Sequence, residues 1–102
     1  DKTGKIPLVV SSSDLLDNPE RFLQKLCSSL DIEFNKKMLS WPRGPHPDDG
    51  VWGSVWYENT NNSTCFIQQK NKEILLSDYQ KSIVDSAYTY YQQLESFKQE
   101  FF

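Results

Sequence analysis

Four stretches of the 102-residue chain carry distinct hydrophobic patterns. Leu8-Val9-Val10 is an unbroken apolar run inside Ile6–Ser11. It predicts one short strand covered on both faces, as in a parallel sheet. A second run of that quality is missing. Ser63–Gln68 is a weak candidate, so the strand has no obvious partner for its backbone groups. Ser13-Asp14 opens a short turn carrying Leu15 and Leu16. Asn18 then stands as N-cap with Pro19 at the first helical position and Glu20 in the first turn. Phe22, Leu23, Leu26, Cys27 and Leu30 follow at helical spacing, which predicts a helix over 19–30.

Phe34–Trp41 reads as a second, shorter helix capped by Asn35 and stopped by Pro42. Pro42–Gly50 is a loop on turn chemistry alone. A short helix is expected from Ser54, which caps it, until the polar run Asn59–Thr64 interrupts it. Lys70-Asn71-Lys72 marks another turn. The last element is the longest. Ser77 and Gln80 form a capping box, and Tyr79, Ile83, Ala87, Tyr90, Leu94 and Phe97 repeat every three or four residues. Val84, Tyr88 and Tyr91 widen the apolar surface beyond one stripe. A helix from 78 to about 98 is therefore expected to be buried on more than one side or docked on a partner. The fold class is mainly α with one short strand and a long C-terminal helix, in a single domain over 1–102.

Composition narrows the function classes. Hydrophobic residues make up 37% and charged residues 25%, a globular balance. The net charge is −3 and no basic cluster exceeds the pair Lys36-Lys37, which argues against a nucleic-acid surface. No run is long enough for a membrane span, and the N-terminus lacks a signal-peptide pattern. A cytoplasmic location with two reduced thiols, Cys27 and Cys65, is the expectation. Asn61 and Asn62 each start a glycosylation triplet, which chance explains in that setting. His46 lies between two prolines with no orienting partner nearby in sequence. Asp48-Asp49 reads as a solvated turn rather than a metal pair.

The residues also resemble a known family. Leu8-Val9-Val10, Asp14-Leu15, Asn18-Pro19 and the leucines after them are similar to the strand-then-helix segment near the C-terminal end of sulfotransferases. Ser13 stands where an acidic residue is common. A bacterial and plant branch of sulfotransferase-like proteins is closer. Its order is matched by Leu39-Ser40-Trp41-Pro42, Gly44-Pro45, Asp49-Gly50-Val51-Trp52, Trp56-Tyr57 and Ser63-Thr64-Cys65-Phe66. Ala87 and Tyr90-Tyr91 before Leu94 also resemble that branch.

The resemblance implies a fragment of an α/β P-loop sulfotransferase-like fold, corresponding to its C-terminal portion. The P-loop pattern is absent from this sequence. No cofactor is expected for this chain alone, whereas the complete fold would use 3′-phosphoadenosine-5′-phosphosulfate. The chain is not expected to catalyse by itself, because the groups that stabilise sulfuryl transfer in such enzymes lie in other sequence. In the family a late loop with arginine and glycines closes over the nucleotide. Arg43, Gly44, Gly50, Trp52, Trp56 and Tyr57 stand in a similar place and are the candidate ligand contacts; no catalytic or metal residue is assigned. A guanidinium grips phosphate oxygens, glycines let backbone amides approach an anion, and an indole offers an adenine-sized face. The expected function is the segment that closes a nucleotide and acceptor pocket, partnered by a P-loop-bearing chain. The alternative is a non-enzymatic interaction or dimerisation module, with strand 6–11 pairing with its own copy.

Overall fold

The computed structural model describes residues 2–98. These are mainly helical, at 48%, and pairing between extended segments is confined to isolated bridges. The chain divides into two compact units, residues 13–68 and the pair of segments 1–12 and 69–102.

The first unit begins with a short helix α1 (Ser12–Asp17), where a turn was expected. Helix α2 (Pro19–Ser29) starts as the sequence predicts. The Asn18 side chain accepts the Arg21 N–H at 3.2 Å, with Pro19 in the first helical position. Its end is not glycine-capped. Asp31 takes φ +55, and the Ile32 and Asp31 amides donate to the Cys27 and Ser28 carbonyls at 2.9 and 3.3 Å. This is a Schellman closure with an aspartate in the left-handed position. Leu30 serves as the C-cap and is exposed, so the buried stripe of α2 is shorter than its leucine pattern suggests. Among the described residues Phe22 and Cys27 are the buried hydrophobic ones, at 3% and 4% exposure.

The predicted helix 34–41 tightens into a four-residue 3₁₀ turn, Lys36–Leu39, capped by Asn35, whose Oδ1 accepts from the Lys37 N–H at 2.9 Å. That turn packs on α2 and brings Met38 Sδ to 3.9 Å from Cys27 Sγ. Further on, the segment read as one interrupted helix forms two short ones, α3 (Gly53–Trp56) and α4 (Glu58–Asn61). Ser54 lies inside α3 rather than capping it, and its hydroxyl donates back to the Val51 carbonyl. The polar run does not stop the helix. Asn59–Asn61 are part of α4, because a solvent-facing helix of four residues needs no apolar stripe.

In the second unit the capping box forms as read. Ser77 Oγ accepts the Gln80 N–H, and Gln80 Oε1 accepts the Ser77 N–H at 2.9 Å. It opens α5 (Asp78–Glu95), which ends a turn before the expected limit. Among the described residues the segment expected as strand 6–11 forms no regular ladder. Val9 makes one parallel bridge to Lys98, so at that residue the missing partner is the chain's own far end.

Large apolar side chains remain in water throughout both units. Trp52 and Trp56 at the ends of α3 and Tyr79, Ile83, Val84, Tyr88, Tyr90, Tyr91 and Leu94 of α5 are all exposed.

Candidate functional site

The proline- and glycine-rich segment hangs from a short seam. Ser40 and Cys65 form an antiparallel bridge, and the Trp41 amide donates to the Thr64 carbonyl at 2.9 Å. The Trp41 indole is half-buried. Its N–H donates to Ser63 Oγ at 3.1 Å, and its ring meets Phe66 edge-on at 5.0 Å between centroids. Ser63 in turn donates to the Thr60 carbonyl at 2.7 Å. Trp41 is thus an anchor with both ends satisfied.

Beyond Pro42 the chain is tied to the end of α4. The Gly44 amide donates to the Asn61 carbonyl at 2.8 Å, and Arg43 Nη2 donates to Asn62 Oδ1 at 3.1 Å. Gly44 has φ +115 and Gly50 φ +72, which only glycine adopts without strain, and both face open space. Among the described residues no carboxylate lies within 4.0 Å of the Arg43 guanidinium. One of its five N–H groups is spent on a neutral amide, so its charge is oriented but not neutralised.

Between the two glycines the chain closes a compact turn. Asp49 Oδ2 accepts the His46 N–H at 2.8 Å, and the Asp49 amide donates to the His46 carbonyl. His46 Nδ1 accepts the Asp48 N–H at 3.2 Å and lies 3.5 Å from Asp48 Oδ2. The histidine is consumed by the turn that holds it, and Asp48-Asp49 shape that turn. Among the described residues no group of three His, Cys, Asp or Glu is placed to hold a metal ion.

α3 follows with its aromatic pair in water. Trp52 and Trp56 stack at 5.4 Å between centroids and 17° between planes, and they are 62% and 71% exposed. Tyr57 is partly exposed beside the buried Gly53. A helical i, i+4 spacing explains the stack; burial does not hold it.

The structure therefore places Arg43 and Gly44 together at the end of α4, and Trp56 on α3 with Trp52 and Tyr57 at its two ends, with Gly50 in the turn between. Sequence reasoning missed Asn61 and Asn62, whose carbonyl and amide groups position Gly44 and Arg43. The signal was the asparagine-rich run itself, which in sequence reads as an interruption and as two chance glycosylation triplets. A separate shallow cleft of about 250 Å³ lies among Asn18, Pro19, Glu20, Leu39, Cys65 and Phe66; it contains none of the candidate residues.

A family model described as a sulfotransferase domain matches residues 1–97. The chain belongs to the sulfotransferase domain family. Two curated relatives from Arabidopsis thaliana are similar to it. Branched-chain-amino-acid aminotransferase-like protein 1 is 42% identical over 67 residues, covering 66% of this chain and 12% of that protein. Branched-chain-amino-acid aminotransferase-like protein 2 is 41% identical over 63 residues, covering 62% of this chain and 11% of that protein. The chain thus spans about an eighth or less of the length of these relatives. No solved structure matches it. The family implies 3′-phosphoadenosine-5′-phosphosulfate as donor for its complete fold. Among the described residues no helix is long and apolar enough to cross a membrane.

Proposed function

We propose that this chain is the part of a sulfotransferase-like protein that closes over the nucleotide and acceptor, a binding part rather than the catalytic one. In this reading Arg43 grips a phosphate of the donor or of its product. Gly44 and Gly50 let the backbone approach that anion, and the exposed faces of Trp52, Trp56 and Tyr57 cover the base or the acceptor. The observation that carries the reading is the state of Arg43. It is held by Asn62, next to Gly44 in a left-handed conformation, and among the described residues it has no carboxylate partner. An arginine with a structural role is usually paired with an acid; one oriented by a neutral amide keeps its charge available for an anion. The exposed large aromatics Trp52, Trp56 and Tyr57 support the same reading, since a closing segment must present such surface to the body it closes on.

Calorimetric titration with 3′-phosphoadenosine-5′-phosphate tests it. Binding is expected in the millimolar range or tighter for this chain. Arg43→Ala should weaken it by about tenfold or more, in keeping with loss of a charged hydrogen bond to an anion. Arg43→Lys should recover only part, because a lysine cannot offer the planar fork. No heat of binding at millimolar nucleotide would remove the nucleotide-closing role from this chain.

A further inference from the structure

α5 carries two apolar stripes, and the second is complementary to itself. At 100° per residue, Tyr79, Ile83, Ala87, Tyr90 and Leu94 lie on one side of the helix. Lys81, Val84, Tyr88, Tyr91 and Glu95 recur at spacings of three and four on a side turned by about 120°. All five are exposed, Tyr88 to 53%, and the Tyr88 and Tyr91 rings stack at 6.1 Å into a single ridge.

We infer that a second copy of this chain covers this second stripe, with the two α5 helices antiparallel about a two-fold axis at Tyr88. Lys81 lies seven residues before Tyr88 and Glu95 seven after. An antiparallel pair therefore sets Lys81 of each copy against Glu95 of the other. Val84 faces Tyr91 to within one residue, or about 1.5 Å along the axis, and Tyr88 meets its own copy. A parallel pair would set lysine on lysine and glutamate on glutamate, so charge selects the antiparallel arrangement. The two ion pairs orient the contact, while the aromatic ridge supplies its driving force. Val84, Tyr88 and Tyr91 expose about half or more of their surface along this stripe, which leaves the first stripe and the indoles at Trp52 and Trp56 for other contacts. A self-complementary patch of this kind generates a closed two-fold dimer rather than a fibre.

Sedimentation equilibrium from 1 to about 100 μM on the whole chain tests the inference, with circular dichroism confirming that each variant keeps its helix content. The wild type should be a dimer at the upper end. Lys81→Glu or Glu95→Lys alone should each weaken dimerisation by about tenfold or more, since each turns two attractive pairs into repulsive ones. The double exchange Lys81→Glu with Glu95→Lys should return the dissociation constant to within about threefold of wild type. Tyr88→Cys in a Cys65→Ser background should give a symmetric disulfide dimer on mild oxidation. A wild-type monomer at 100 μM, or a dimer whose strength ignores both single exchanges, would overturn the inference. Because the nucleotide titration does not involve α5, failure here leaves the closing role standing, and the reverse also holds.

Discussion

Replacing Gly53 by alanine sets two effects against each other in one residue. Gly53 opens α3, and in a helix alanine is favoured over glycine by about 0.8–1.0 kcal/mol. The space decides otherwise. A methyl group there would stand 2.8 Å from Asp49 Cβ and 3.3 Å from Tyr57 Cδ2. Asp49 Cβ is fixed to the backbone, so it must retreat by about 0.6 Å to reach ordinary contact. The Asp49 carboxylate would then leave the His46 N–H it holds at 2.8 Å, and the turn 46–49 would loosen. Overpacking of this kind costs about 1–3 kcal/mol, and the lost charged hydrogen bond adds to it. We expect a net loss of about 2–5 kcal/mol, or roughly 8 °C or more in Tm for a chain of this length. Urea denaturation followed by tryptophan fluorescence reads it. Asp49→Gly in the Gly53→Ala background removes the obstructing Cβ, so the double variant should lose at least about 1 kcal/mol less than the sum of the singles. A Gly53→Ala protein as stable as wild type, or more so, would refute the packing of Asp49 against α3.

Three further perturbations follow from the same geometry. Phe22→Ala empties the most deeply buried hydrophobic site and should cost about 3–5 kcal/mol, enough to unfold much of the population at 37 °C in a thermal melt. Asp31→Gly relieves the left-handed residue that closes α2 and should raise stability by about 0.5–1 kcal/mol in urea denaturation; a loss would contradict the Schellman closure. Ser77→Ala removes the cap of α5 and should cost about 1 kcal/mol, seen as fraying of that helix in hydrogen exchange of its first-turn amides.

The elements that were legible in sequence are those whose signals are local. Asn18-Pro19 with Glu20, and Ser77 with Gln80, specify helix starts through side-chain caps that act within four residues, and α2 and α5 begin where these stand. The apolar run around Val9 was legible but its partner was not, because a single bridge at Lys98 requires no strand pattern there. The helix expected over 34–41 shortened to a 3₁₀ turn because Ser40 and Trp41 are drawn into extended pairing with Cys65 and Thr64, a long-range contact that propensity does not register. In the candidate site the glycines and Arg43 stood out by type and spacing. What holds Arg43 did not, since Asn62 is one asparagine among several and its role exists only once α4 places it. Leu30 shows the opposite error: helical spacing assigned it to the buried face, and the cap geometry left it exposed.

Intrinsic tryptophan fluorescence during titration with 3′-phosphoadenosine-5′-phosphate tests the nucleotide-closing role most directly. Trp52 and Trp56 are exposed and stacked, whereas Trp41 is half-buried with its indole N–H already bonded, so a base laid on the α3 pair must change the signal of that pair first. The account predicts saturable quenching that persists in Trp41→Phe, disappears when Trp52 and Trp56 are both replaced by phenylalanine, and shifts to about tenfold higher nucleotide in Arg43→Ala. Unchanged fluorescence up to millimolar nucleotide, or quenching indifferent to Arg43, would contradict it.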